Sequence, residues 1–206
     1  MKKILKDFQL KALELIVKSG ITEDFYLAGG TAILLRYNHR FSEDFDFFLF
    51  PDKETDFFNL LSSLKNTKTE LVESKKDTLI FFFEKVRFSF FVYKYPLLKK
   101  TTPYEELKIN IASDEDITAM KSIAVIQRGK KKDFFDLFFL MKINKLNLKD
   151  VIHLCEKKYK NNFNRAIFLK ALIYFKDAED EKIKEIDREW ESIKNFFSTL
   201  VKNFLS

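Results

Sequence analysis

The chain has 206 residues, 46% of them apolar and 25 of them phenylalanine, enough to bury the core of one large domain or of two small ones sharing a core. Lys and Arg outnumber Asp and Glu by 37 to 31, giving a net charge of +6, which is compatible with a nucleic-acid or nucleotide partner and equally with a solvated basic surface. A single cysteine, Cys155, excludes an intramolecular disulfide and a cysteine-based zinc site, and no apolar run approaches the ~20 residues that cross a bilayer. The N-terminal stretch starts with lysines but is broken by Lys6, Asp7, Lys11 and Glu14, so it does not read as a signal peptide. These features point to a cytoplasmic protein without a membrane partner.

In chain order, apolar residues recur at helical spacing over 3–19 (Ile4, Phe8, Ala12, Leu15, Ile16), and Gly20 stops the run. Phe25–Ala28 predicts a short strand, and Ala32–Tyr37 a short helix entered directly from Gly29-Gly30. Phe45–Phe50 predicts a second strand closed by Pro51-Asp52. Asp52 is placed to cap a helix that buries Phe57, Leu60, Leu61 and Leu64. Thr69–Val72 predicts a weak strand. Leu79–Phe83 and Val86–Tyr93 predict stronger ones, joined through Glu84-Lys85 as a tight hairpin. Along the last strand Arg87, Ser89, Phe91 and Tyr93 face one way, and Val86, Phe88, Phe90 and Val92 the other. Pro96 and Pro103 punctuate a basic connector, and Leu107–Ile111 predicts a final edge strand. The hairpins favour antiparallel pairing.

After Ser113 the pattern turns wholly helical. Ser113 with Asp116 three residues on gives a capping-box-like start to a helix that runs to Arg128 and stops at Gly129. Helices are expected next over 132–144, 148–160 and 164–175, and a last one carries Trp190, Ile193, Phe197, Leu200 and Phe204 as its stripe. Residues 177–191, with eight acidic against three basic side chains, read as a solvated loop and helix start. The expected organisation is α+β: a mixed sheet with flanking helices over 1–112, followed by a C-terminal helical bundle over 113–206 packed against it.

Two short motifs carry chemistry. Gly29-Gly30-Thr31 lets backbone amides approach a ligand closely at a helix start, where free N–H groups suit phosphate oxygens. Asp44 and Asp46, at i and i+2 on a strand, lie on one face with Cα atoms ~6.6 Å apart, a spacing suited to a divalent cation. Together they read as the two halves of a nucleoside triphosphate site. A lone glycine pair is more often a plain turn and a lone D-x-D two surface acids, but strand, GG[ST], helix, then strand with D-x-D is far more restrictive.

That order resembles the polymerase-β-like nucleotidyltransferase superfamily, and the detail resembles its AbiEii/AbiGii-type abortive-infection toxins, which act in toxin–antitoxin pairs. The matching residues are Leu27–Ala32, His39-Arg40, Ser42 and Asp44–Phe48, then Asp116-Ile117, Ala119-Met120-Lys121, Arg128 and Lys132–Leu137. The resemblance implies a nucleotidyltransferase-type sheet and an enzyme that moves a nucleoside monophosphate from an NTP to an acceptor hydroxyl. It implies Mg²⁺ (or Mn²⁺) as cofactor, an RNA acceptor such as a tRNA end or else a protein, and a cognate antitoxin. On it, Asp44 and Asp46 would hold the metal, and Gly29, Gly30, Thr31, Arg40, Ser42 and Arg128 would bind the nucleotide. Lys121 would neutralise phosphate charge, and Asp133 or Asp136 would orient or deprotonate the acceptor. Read from the residues alone, Lys121 is equally a solvated lysine, Asp133 an acid in a helix's first turn, and Asp136 the partner of Lys132.

One departure stands out. The superfamily commonly carries a third carboxylate on a neighbouring strand, and the corresponding position here is Ser89. The competing reading that follows is a catalytically degenerate nucleotide- or RNA-binding module. His39, in the loop before the acidic strand, reads as a cap on the short helix or else a phosphate contact, and the run Arg128–Lys132 as a solvated basic turn or a nucleic-acid contact.

Overall fold

The computed structural model describes residues 4–62, 64 and 69–206. They fall into two compact units, Met1–Ser113 and Asp114–Ser206.

The first unit opens with helix α1 (Asp7–Lys18), ended by Gly20 at φ +80°. Its buried face is Gln9, Ala12, Leu13 and Ile16, while Phe8 and Leu15 are about half exposed. The inward face is therefore rotated from the expected stripe, because it must include the polar Gln9. Residue 3 of the expected helix lies outside the described residues. Strand β1 (Phe25–Ala28) runs straight into helix α2 (Gly29–Tyr37), which begins at the glycine pair, three residues earlier than expected, and ends at Asn38 in the left-handed region. Strand β2 (Phe45–Leu49) follows. Helix α3 (Phe57–Ser62) is capped by Asp56, whose carboxylate accepts from the Phe58 amide at 2.9 Å. The cap is Asp56 and not Asp52, because only Asp56 immediately precedes the helical turn.

Strands β3 (Thr69–Lys75), β4 (Thr78–Phe83), β5 (Val86–Phe91), β6 (Thr102–Tyr104) and β7 (Ile109–Ile111) complete a seven-stranded sheet in the order β3-β4-β5-β2-β1-β7-β6. The hairpins pair antiparallel, but β2 runs parallel to β5 and β1 parallel to β7, so the sheet is mixed. Strand β7 is interior, and the edge is β6. Pro103 explains this arrangement: it has no N–H to give, which suits a strand paired on one side only.

One sheet face is a phenylalanine layer. Phe45 stacks on Phe88 and Phe47 on Phe90, with centroids 5.2 and 5.1 Å apart, and Phe81 stacks against both Phe88 and Phe90. These five rings are fully buried. Each fully buried ring contributes on the order of 1.5–3 kcal/mol. Helix α2 packs on β1 and β2, and α1 on β5. Period-2 alternation then sends Asp46, Phe48, Arg87 and Ser89 to the opposite face.

The second unit is helical: α4 (Asp114–Gln127), α5 (Lys131–Ile143), α6 (Leu148–Tyr159), α7 (Arg165–Leu172), the one-turn α8 (Lys176–Glu179) and α9 (Lys184–Asp187), and α10 (Trp190–Leu205). Phe134 is its aromatic centre, within 5.8 Å of Phe175, Trp190 and Phe197. Lys158 of α6 meets Asp116 of α4 at 2.6 Å with both side chains fully buried; burial pulls the Lys158 pKa down while Asp116 opposes that. The acidic stretch is more than a solvated loop. Glu181 and Asp187 grip Lys131, which is 3% exposed, at 2.7 Å through its amide and 2.8 Å through its amino group. Two of the eight acids there thus serve a buried cation, because a lysine cannot be desolvated alone.

Glu84 and Lys85 both sit at positive φ (+48° and +67°), the requirement of a type I′ hairpin turn. Replacing the pair by Asn-Gly is expected to stabilise the first unit by about 1 kcal/mol, since neither residue is strained there. Thermal unfolding checks it; an unchanged or lower midpoint would contradict the turn assignment.

Candidate active site

The junction of β1 and α2 is built for a close approach. Ala28 lies opposite Asp46 in the β1–β2 register, so the next residue turns directly over the Asp46 carboxylate. Gly29 has φ +71°, and a Cβ on it would stand 2.8 Å from Asp46 Oδ2. Both backbone conformation and space therefore demand glycine. A Cβ on Gly30 would lie 2.6 Å from Arg40 Nη2 and 3.1 Å from Ser42 Oγ, so the guanidinium lies against bare backbone.

Thr31 is buried, and its hydroxyl shares a hydrogen bond with Ser42 Oγ (2.9 Å) and donates to the Asp44 carbonyl. Its work here is to tie the helix start to the loop that delivers Asp44, beyond the phosphate contact expected of it. Arg40 donates to the Phe41 carbonyl at 2.8 Å within the same loop. Gln9 completes the tie: it is 1% exposed, and its amide donates to the Ser42 and Glu43 carbonyls at 3.0 and 3.2 Å. Lys6 Nζ lies 3.9 Å from the Phe41 ring centroid. Gln9 was not singled out from the sequence. The available signal was a glutamine four and seven residues before Leu13 and Ile16 on the helix's inner face.

Asp44 stands one residue before β2, about one-third exposed, and Asp46 lies within the strand. Across the parallel β2–β5 ladder, Ser89 is in register with Asp46. Ser89 is fully buried, and its hydroxyl has no hydrogen-bond partner among the described residues. Arg87, two residues earlier, comes level with Asp44, its Nη1 3.8 Å from Asp44 Oδ2. Among the described residues no group of three or more His, Cys, Asp and Glu converges to hold a metal ion. Two carboxylates with hard oxygen donors remain, and that donor type fits Mg²⁺ or Mn²⁺ completed by phosphate oxygens.

The second unit brings Lys121, Arg128, Asp133 and Asp136 together. Gly129, at φ +51°, turns α4 into α5 so that the two helices lie side by side. Lys121 Nζ reaches Asp133 at 3.1 Å and Asp136 at 2.7 Å, and Arg128 makes a two-pronged contact to Asp133 at 2.7 and 2.9 Å. Both aspartates are fully buried, and Lys121 nearly so. Burial alone raises the Asp133 pKa, but Lys121 and Arg128 outweigh it and hold the carboxyl below its ordinary range. Lys121 is thus neither solvated nor alone, and Asp136 takes its charge partner from the preceding helix. Of the basic run, Lys130 and Lys131 also face acids, Glu181 and Asp187, inside this unit.

Residues 11–203 match the family model described as "Nucleotidyl transferase AbiEii toxin, Type IV TA system". The chain belongs to the AbiEii nucleotidyltransferase toxin family. The uncharacterized protein aq_aa25 of Aquifex aeolicus (strain VF5) is 47% identical over 206 residues, covering all of this chain and 99% of its own. In fold, this AbiEii-family chain is similar to MenT4, the nucleotidyltransferase toxin Rv2826c from Mycobacterium tuberculosis H37Rv. The TM-score is 0.55 at 12% identity, over 96% of this chain and 86% of that one. It is also similar to a nucleotidyltransferase structure from H. pylori, with a TM-score of 0.50 at 19% identity over 97% and 99% of the two chains. The chain is accordingly a nucleotidyltransferase, an enzyme with the α+β fold of that group. Among its described residues no helix is long and apolar enough to cross a membrane.

Removing Lys121 leaves two buried carboxylates short of a cation. Lys121→Met is expected to destabilise the helical unit by about 3 kcal/mol in chemical denaturation. A variant as stable as the wild type would show that the network is not structural. A depressed carboxylate stabilises the fold above its unfolded pKa, and that contribution is lost as pH falls through the folded value. Unfolding midpoints should therefore hold steady from pH 7 to about 5 and drop below about 4, the ordinary aspartate range. Circular dichroism at stepped pH reads this directly, and no acid-side loss would refute the assignment for Asp133.

Proposed function

We propose that this enzyme transfers a nucleoside monophosphate from an NTP to an acceptor hydroxyl, and that Gly29, Gly30, Arg40, Asp44 and Asp46 bind the nucleotide. The acceptor hydroxyl gives up its proton to solvent as its oxygen attacks the α-phosphorus, the bond from that phosphorus to the β-phosphate bridge breaks, and pyrophosphate leaves. The observation that carries this reading is the 2.8 Å between the Cβ position of Gly29 and Asp46 Oδ2. It sets a strand carboxylate against the start of the helix, so phosphate oxygens arriving at its amides would need a cation between them and the carboxylate.

Asp44 and Asp46 would hold Mg²⁺ or Mn²⁺, which when bound supplies positive charge to the transferring phosphoryl group. Backbone amides of the α2 start would donate to phosphate oxygens, and Arg40 adds a fixed cation beside them. Thr31, Ser42 and Gln9 hold the loop so that Asp44 does not need to be ordered at the moment of binding. In this reading Lys121, Arg128, Asp133 and Asp136 act as one charged group. Asp133, held below the ordinary carboxylate range, is a poor proton acceptor near neutrality and is assigned to orienting Lys121.

The acceptor we favour is an RNA end such as that of tRNA, with a protein side chain as the competitor. The net charge of +6 is compatible with a polyanionic partner. The family description names a type IV toxin–antitoxin system, which supports a cognate antitoxin and a role in the cytoplasm, where NTPs and tRNA are found.

The test incubates the protein with each α-labelled NTP, Mg²⁺ or Mn²⁺, and bulk tRNA or cell protein. Label should appear on RNA, and Asp46→Ala should lower it by at least about a hundredfold, as expected for removal of a metal-holding carboxylate. Label on protein would replace the RNA acceptor. Transfer to none of the acceptors, or label that survives Asp46→Ala, would refute the reading.

A further inference from the structure

We propose that Arg87 is a substrate-contacting residue: it pairs with Asp44 in the nucleotide-free protein and passes to a phosphate oxygen of the NTP once Asp44 is taken up by the divalent cation. The inference rests on the nucleotide site proposed above and adds a residue that site does not include.

Four observations carry it. Strand β5 runs parallel to β2 in a register that puts Ser89 beside Asp46 and, by the same spacing, Arg87 beside Asp44. The neighbour of Asp46 is thus a neutral hydroxyl, and the neighbour of Asp44 is a guanidinium. The Arg87–Asp44 pair is long, 3.8 Å, with both side chains about one-third exposed. Such a pair contributes under ~1 kcal/mol and exchanges readily for a better partner. Among the described residues no third metal-ligating group joins the two aspartates.

Charge decides the direction of the exchange. Two carboxylates and one guanidinium carry a net charge of −1. A divalent cation on the carboxylates turns this to +1, and the surplus is the guanidinium that Asp44 no longer needs. A planar fork of N–H donors beside a metal-bound triphosphate is the geometry for a charge-assisted contact to phosphate. A carboxylate at position 89 would have cancelled that surplus. With Ser89 there, Arg87 is the cation available on β5 to meet the developing negative charge, in the manner of other guanidinium groups at phosphoryl-transfer centres.

The proposal makes two binding constants move in opposite directions. Mn²⁺ alone, titrated by electron paramagnetic resonance, should bind Arg87→Ala more tightly than the wild type, because the competitor for Asp44 is gone. The Mg²⁺ complexes of α,β-methylene NTP analogues, titrated calorimetrically, should bind Arg87→Ala about tenfold or more weakly, the equivalent of one lost charge-assisted hydrogen bond. Arg87→Lys should recover part of the nucleotide affinity but not the two-pronged contact. Ser89→Asp should weaken nucleotide binding in the same direction as Arg87→Ala, provided its circular dichroism matches the wild type. Arg87→Ala alone decides the matter if it does not. Nucleotide affinity unchanged in Arg87→Ala, or a parallel loss of Mn²⁺ and nucleotide binding, overturns the proposal. A wild type that binds neither Mn²⁺ nor any analogue overturns the nucleotide site itself, a result separate from failure of the Arg87 variants alone.

Discussion

The Asp46 carboxylate occupies the space that a side chain on Gly29 would need, and much of the first unit follows from keeping it there. The β1–β2 register sets Ala28 opposite Asp46, so the chain must reverse over the carboxylate at once. Only a residue without Cβ and at home at φ +71° can do that. The phenylalanine layer beneath is the other half of the constraint. With Phe45, Phe47, Phe88 and Phe90 locked into ring stacks on one face, a one-residue slip of β2 would bury the acids and expose the rings. Apolar packing on one face thus fixes the position of a charge on the other.

The loop between α2 and β2 shows the same division of labour. Its carbonyls at Ser42 and Glu43 are held by Gln9 and that of Asp44 by Thr31, so its shape is set from α1 and α2. A buried glutamine amide is tolerable there because both its hydrogens are used. The result is a carboxylate whose backbone is already ordered and whose side chain is still open to water. That combination suits a group that must exchange one cation for another.

Charge is handled differently in the helical unit. Lys121, Lys131 and Lys158 are all buried, and each faces carboxylates from another helix or from the acidic stretch. Buried ion pairs of this kind add little net stability over an apolar substitute, but they are expensive to break, so they fix which helix lies beside which. The residues that resemble the family's second motif block, Asp116, Lys121, Arg128, Asp133 and Asp136, are the ones tied into these pairs. Their arrangement gives Asp133 a low proton affinity and gives Lys121 a fixed position.

The sequence by itself determined several of the elements and the family: the glycine pair at a helix start, the D-x-D at a strand start, the Glu84-Lys85 turn and the change to helices after Ser113. Each is a local pattern set by backbone conformation or by side-chain periodicity over a few residues. Read with the family resemblance, it also flagged Ser89, the polar-facing position of the strand where the superfamily commonly carries a third carboxylate. Only the tertiary structure decided what crosses between elements. The parallel β2–β5 pairing placed Arg87 against Asp44, and the rotation of α1 sent Gln9 inward. The interior position of β7 and the partners of Lys121 and Lys131, up to 56 residues away, came from the same source. Such contacts depend on strand order and helix facing, which are fixed by how apolar faces cover one another and leave no mark at any single stretch of chain.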